Sequence, residues 1–475
     1  MSEQTLNAGN TTAKENQYAN IVNDLVQDYI TSNMPWHRYT FPGERQLYVN
    51  PASGNIYKGI NALNLSRAEY ESEGPNGPHL WMTARQIKET GTWAQAVLDN
   101  LSTKEKTPVF FYKEGKEYEY KKVNEQTGEE SIEKRRGSYA TTADVYYVGY
   151  DVDPKQYKTS LRVTAEKAYE NAEAFIEASK SAVEITVFEE PVLPENIDRV
   201  KEFSVNHSLP VAYDIEHKEV IALPAAHEGI DKAAYYQSMI NAIVKARVNL
   251  DDEKMRKTMT DDQSAVVKHI TEFSATYFIS QRLGIGTNRL CEALNEAERR
   301  HRALSENMST EMFLEGREKL LKTIFKDLDA RGGDFTNTNF AKAFASAVKK
   351  GQAICDELTR SIEQNLDLNV AKLPVINKEL SAADKGLKVY EPNVTKMGHY
   401  QGYVVGRGNG DTYVKVQARQ SGNYYLVKDK SERLHGMDKL NHEIEVQYSK
   451  NGKAYVKDLT VERARNRDKG NSIAD

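Results

Sequence analysis

The sequence predicts a multidomain α+β protein, with a small α+β N-terminal domain, a mostly helical middle and a small all-β C-terminal module. Three observations predict it. The chain has 475 residues, more than one hydrophobic core usually organises. Residues 35–107 are short aromatic pieces broken by "FPG", "NPASGN" and "EGPNGP". Residues 262–363 carry helical periodicity with few breakers, whereas the stretch from 397 alternates in strand fashion between glycine turns.

The elements follow in order. Residues 1–13 are polar and expected to be disordered. Tyr18, Ile21, Val22, Leu25, Val26, Tyr29 and Ile30 then form one stripe at helical spacing, which must stop before Pro35. "WMTARQIKETGTW" reads as a helix closed by Gly91. "TPVFFYK" and "ATTADVYYVGYDV" read as strands flanking a charged excursion, which makes a long hairpin or loop and closes a domain spanning 14–155. A second domain, 156–290, has a helix near 160–180, strand segments in "AVEITVFEE" and "LPVAYDIEHKEVIALP", the helix "AYYQSMINAIVKARVNL" and another helix over 262–283. Helical patterns at 287–305, 309–327 and 338–363 supply an extension assigned to 291–370. A linker over 371–396 precedes the β module of 397–460, where "GRGNGD" and "KNG" are hairpin turns, and 461–475 is a polar tail.

Composition bounds the function. Hydrophobic content of 39% with 28% charged residues fits a soluble globular chain, and no run of about 18 apolar residues is present to span a bilayer. The polar start lacks a secretory signal, so a cytoplasmic location and no membrane partner are expected. Net charge of −5 provides no global attraction for nucleic acid, so any such contact must be local. Cys291 and Cys355 fall in helical apolar surroundings and are expected to be buried free thiols, neither a disulfide framework nor a metal site. No Gly-x-x-x-x-Gly-Lys loop or Gly-x-Ser-x-Gly elbow occurs.

Residues 34–93 interleave Trp36, Tyr39, Phe41, Tyr48, Tyr57, Trp81 and Trp93 with His37, Arg38, Arg45, Lys58, Arg67 and Arg85. Rings beside cations are what unpaired bases stack on. Residues 31–100 nevertheless hold six Lys or Arg and six Asp or Glu, and composition alone favours packing of these rings in a core. "PW" at 35–36, "NPASGNIYKGIN" at 50–61, "LWMTARQIKETG" at 80–91 and "KTPVFFYK" at 106–113 occur in the order found in the N-terminal domain of ArdC-type antirestriction proteins, which this segment resembles. The resemblance implies single-stranded DNA binding. Trp36, Asn50, Ser53, Gly54, Tyr57, Lys58, Gly59, Asn61, Trp81, Thr83, Gln86 and Gly91 match the pattern. With Arg38, Tyr39 and Arg85 beside them, the candidate DNA-binding set is Trp36, Arg38, Tyr39, Asn50, Ser53, Tyr57, Lys58, Asn61, Trp81, Thr83, Arg85 and Gln86. Ser53 and Gly54 suit a tight turn; Lys58 and Tyr57 suit a phosphate and its base; Asn61 either reads a base edge or caps the following helix.

ArdC-type proteins also resemble one another in a following zinc metallopeptidase-like domain, whose helix carries His-Glu-x-x-His. The frame of "YDIEHKEVIALP" and "YYQSMINAIVKAR" is similar, but Asn241, Ala242 and Lys245 stand where the two histidines and the glutamate would be. "HEGID" at 227–231 offers His227 and Glu228 outside a helix interior, and Glu272 falls at or one place off the position of the third ligand. The resemblance therefore implies a degenerate peptidase-like domain with no metal, no cofactor and no catalytic residue. At the C-terminus, Gly398, Tyr400, Gly402, Gln417, Leu434, Tyr448, Gly452 and Val456 fit a KfrB-type domain, with Lys428 in place of a usual histidine. Residues 395–459 carry eleven Lys or Arg against seven Asp or Glu, so phosphate contact and an ordinary lysine surface both stand open.

The reading that follows is a non-catalytic single-stranded DNA-binding protein of a plasmid or phage that protects incoming DNA from host restriction. Its partners are single-stranded DNA and, with it, host restriction or conjugation and virion components. The alternatives are a zinc-dependent metallopeptidase or nuclease with an unrecognised site, and a structural adaptor of a virion or conjugation complex.

Overall fold

The fold is given by a computed structural model that describes residues 3–38, 40–72, 78–93, 95–123, 130–152, 162–204, 209–250, 259–287, 318–326, 338–366, 368, 372–373, 375, 378–394, 398–418 and 421–463. It contains helices and several separate sheets in the multidomain α+β manner. Two compact units result. One comprises Met1–Trp81 with Glu105–Ala371, the other Met82–Lys104 with Lys372–Asp475.

The first unit begins with helix α1, Glu3–Ile30. Residues 3–13, expected to be disordered, are thus helical. The stripe predicted from sequence is buried from Ile21 to Ile30. A short ribbon follows, β1 (Val49–Asn50) with β2 (Asn55–Ile56), then helix α2 (Ile60–Glu71). Trp81 opens strand β3 (Trp81–Thr83), after which helices α3 (Ala84–Thr90) and α4 (Gln95–Leu98) belong to the second unit. Strands β4 (Thr107–Val123) and β5 (Glu130–Tyr147) then form one long antiparallel hairpin where the charged excursion was expected to form a hairpin or loop.

Helix α5 (Ala165–Ser179), strand β6 (Ile185–Val187), helix α6 (Pro194–Phe203) and the hairpin β7 (Val211–Asp214) with β8 (Glu219–Ala222) lead to helix α7 (Lys232–Asn249). Helix α8 (Asp261–Leu283) and helix α9 (Asn339–Thr359) complete the layer. Asp231, Thr260 and Thr338 start these three helices by accepting backbone N–H groups that have no partner inside the helix. The predicted helix at 287–305 and much of that at 309–327 lie outside the described residues, and residues 318–324 are helical.

The division expected between 155 and 156 is not a division of packing. One hydrophobic cluster holds Leu25 and Trp36 together with Phe175, Tyr235 and Ile279, and with Phe344 from the expected helical extension. Most of helix α7 is buried in the cluster, with Asn241, Lys245, Arg247 and Asn249 half-buried along its polar side. Helices α8 and α9 approach closely at Gly351, where a Cβ would stand 2.1 Å from Ser274 Oγ and 3.0 Å from the Thr271 carbonyl oxygen. Cys355 lies in this cluster as a buried free thiol, as its surroundings predicted, and burial pushes it up to about 12; Cys291 lies outside the described residues.

In the second unit, the expected linker 371–396 contributes structure of its own. Helix α10 (Ala382–Lys385) and strand β9 (Val389–Tyr390) precede β10 (His399–Gly408), β11 (Asp411–Gln417), β12 (Tyr424–Lys430), β13 (Glu443–Tyr448) and β14 (Ala454–Asp458). The six strands form one sheet in the order β14-β13-β10-β11-β12-β9, with β9 parallel to β12. Asn409 and Gly410, both at positive φ, make the two-residue turn that "GRGNGD" predicted.

Alanine normally improves a helix interior over glycine by about 0.5–1 kcal/mol. At Gly351 the close approach of α8 reverses the sign, and Gly351→Ala is expected to destabilise the chain by about 1–3 kcal/mol in urea unfolding. Equal or greater stability of the variant would contradict the α8–α9 contact.

Candidate functional site

The structure assigns the N-terminal motif residues to architecture. Asn50 accepts the N–H groups of Ala52 and Ser53 at 3.1 Å each, closing the "NPASGN" turn, and donates to the Tyr57 hydroxyl at 3.1 Å. Ser53 Oγ accepts the N–H of Asn55 in the same turn. Tyr57 donates onward to the Trp81 carbonyl at 3.4 Å. Asn61 neither caps α2 nor faces solvent as a base reader. Its amide donates to the Phe110 carbonyl at 2.5 Å and accepts the Phe110 N–H at 2.8 Å, so it pairs with β4 as a neighbouring strand would. Thr83 and Gln86 form a reciprocal capping box on α3, in the second unit.

The tryptophans and Tyr48 are interior, contrary to the expectation that bases lie against them, whereas Phe41 of the same run is exposed. Trp36 is 0% exposed, Trp81 4% and Tyr48 2%. Trp81 Nε1 donates to Glu69 Oε1 at 2.8 Å, and the other oxygen of Glu69 meets His79 Nδ1 at 2.6 Å. A buried indole needs such an acceptor, which fixes the ring more firmly than packing alone.

The cations expected beside the rings are committed elsewhere. Arg38 donates to the Ser66 and Asn33 carbonyls and lies 4.2 Å over the Tyr70 ring, Arg45 donates to the Leu366 carbonyl, and Arg67 bridges Asp24, Asp28 and Glu71. Lys58 pairs with Asp356 at 3.0 Å, a half-exposed contact worth about 0–1 kcal/mol. Arg85 pairs with Glu89 along α3. Tyr39 lies outside the described residues.

The metal-like frame on α7 is occupied by other chemistry. The Asn241 amide donates to Thr276 Oγ1 of α8 at 3.4 Å, and Ala242 is buried. Glu272 sits on α8 in a desolvated position that pushes its carboxyl up to about 7, while Lys245 and Lys268 pull the other way. An ammonium and an amide in place of two imidazoles do not fit a zinc ion. His227 lies in a turn against Glu190 at 2.5 Å, and Asp231 caps α7, so "HEGID" is a helix start. Among the described residues no group of three or more His, Cys, Asp or Glu could hold a metal.

In the second unit the excess of positive charge is largely matched. Lys415 pairs with Asp384, Lys428 and Lys430 with Asp411, and Arg407 with Asp438. Tyr400 and Tyr448 both donate to buried Asp429, so these two pattern residues serve the core of the sheet. Among the described residues of these strands, Arg407, Lys415, Lys428 and Lys430 are thus all engaged by carboxylates.

Residues 13–147 match the family of the N-terminal domain of anti-restriction factor ArdC. Over these residues the chain is similar to that domain. Among solved structures, the antirestriction ArdC protein of the R388 plasmid, in its metal-free crystal structure, is similar at 16% identity and a TM-score of 0.41, covering 73% of this chain and 98% of that one. At that distance no residue role passes between the two. No curated protein matches the chain.

The sequence reading missed Glu69, which no spacing or composition distinguishes from a solvated acid on α2, although it holds Trp81 and His79 together. Two checks follow. Asn61→Ala, which leaves the Phe110 backbone groups without partners, is expected to cost about 1–3 kcal/mol in chemical unfolding. Glu272→Gln tests the buried carboxyl. Because its folded pKa is raised from 4.5 to about 7, its contribution is present at pH 4 and is lost as pH rises to about 7. The wild-type chain should therefore lose on the order of 2 kcal/mol relative to Glu272→Gln between pH 4.5 and 7.5; parallel pH profiles would rule out the buried carboxyl.

Proposed function

We propose that this chain is a non-catalytic antirestriction protein that binds single-stranded DNA entering a cell with a plasmid or phage, and that it works in the cytoplasm. The ArdC-type domain at 13–147 carries the reading. The substitution of Asn241, Ala242 and Lys245 into the metal-binding frame supports the absence of hydrolysis and makes the middle of the chain a peptidase-like fold without its chemistry. No helix among the described residues is long and apolar enough to cross a membrane.

The mode of contact differs from stacking on the tryptophans. Phe41 and Tyr70 are each more than half exposed, and Phe111 stands at the edge of the β4–β5 hairpin with 37% of its surface open. Unpaired bases would stack on these rings, each contributing about 1–3 kcal/mol. Seven lysines and arginines recur in the hairpin sequence between Lys113 and Arg136. They would neutralise phosphates along the same ribbon. Acids are equally frequent there, so the attraction is short-ranged and steeply weakened by salt.

Fluorescence anisotropy with labelled single- and double-stranded oligonucleotides at 50 and 200 mM salt tests this reading. Binding should favour the single strand, fall with salt, and weaken by roughly tenfold in Phe111→Ala and in Tyr70→Ala. Equal affinity for both forms of DNA would defeat it, as would loss of protection when the chain is expressed during transfer of unmodified DNA into a restricting host.

A further inference from the structure

A cavity of about 220 Å3 opens beside α2 at the base of the β4–β5 hairpin, walled by the rings of Trp81, Tyr147 and Tyr150 and edged by the carboxylates of Glu69 and Glu105. One water needs only roughly 10–15 Å3 of such space, so the cavity admits a small organic group. The rings turn corners on one another. Trp81 and Tyr147 stand 5.6 Å apart at 71°, and Tyr147 and Tyr150 stand 5.3 Å apart at 75°. Three successive near-perpendicular rings therefore make an open box.

Of its two carboxylates, Glu105 lies exposed at the rim and Glu69 lies buried in the wall. Glu69 is buried and takes the indole N–H of Trp81, a charge-assisted hydrogen bond that shifts electron density onto the ring and strengthens its π face. His79 holds the other carboxylate oxygen and keeps the group in place. Tyr147 is held in its neutral form, first by burial and then by the negative charge of Glu69, with Tyr150 and Asp151 adding to it.

These features select among ligands. A phosphodiester would meet two carboxylates and be repelled. A neutral apolar group would gain from the rings and nothing from the acids. A compact organic cation gains from both, since ring faces and carboxylates attract it alike. We infer that this cavity binds an alkylammonium group, with trimethylammonium the shape that touches all three rings at once. The site is separate from the exposed Phe41, Tyr70 and Phe111, and its occupancy does not depend on DNA.

Choline and its uncharged carbon isostere 3,3-dimethylbutan-1-ol, titrated into the full chain at constant ionic strength and followed by tryptophan fluorescence and calorimetry, test the inference. Choline should bind saturably and at least roughly tenfold more tightly than the isostere. Tyr150→Ala removes a wall that is 68% exposed, and Glu105→Gln removes a charge at the surface; each should weaken choline by roughly fivefold or more with an unchanged melting temperature. Equal affinity for the isostere, no binding of choline, or full affinity in Tyr150→Ala would overturn it. So would tighter binding of deoxycytidine than of choline, which would make the cavity a base pocket.

Discussion

Most of helix α7 is buried, and the first unit is arranged around that burial. Its Tyr235, Met239, Ile240, Ile243 and Val244 meet partners from α5, α8 and β7, and α8 in turn meets α9 and, through Tyr277 and Phe278, the N-terminal segment. Each large apolar side chain withdrawn from water contributes about 1.5–3 kcal/mol. A helix held this way keeps its place through packing, so Asn241, Ala242 and Lys245, at the positions that the resemblance gives to two histidines and a glutamate, are accommodated without loss of the fold. Near them Glu272 holds its proton more tightly because burial disfavours its charged form, against the pull of Lys245 and Lys268.

The same demand for satisfied interiors explains the N-terminal motifs. Asn50 closes a turn, Asn61 stands in for a strand at Phe110, and Trp81 rests its indole on Glu69. Residues that look suited to reading bases are instead answering backbone and indole groups that burial has cut off from water. The match of these residues to the ArdC-type pattern is therefore accounted for by the scaffold, and the rings left open to solvent are others, Phe41, Tyr70, Phe111 and Tyr150 among them.

Much of the architecture was legible in the sequence. The α1 stripe, the long hairpin, α7, α8 and the hairpin turn at Asn409 and Gly410 all follow from periodicity and turn chemistry, which act over a few residues. The division into domains was not, because the cluster joining Leu25 to Ile279 and Phe344 is made by contacts hundreds of positions apart. The strand β9 was hidden for a related reason: two residues carry no period, and only pairing with β12 makes them a strand.

By itself, the sequence determined the helices and hairpins, the absence of a histidine pair on α7, and the ArdC-type pattern near the amino end, since each depends on residue types at short, regular spacing. Which aromatic rings face water was decided only by the tertiary structure. Nothing in the local spacing of Trp81 or Tyr150 marks which of the two rings is open. One is buried on Glu69 and the other open beside it, because exposure belongs to the contacts a residue finds when distant segments close over it.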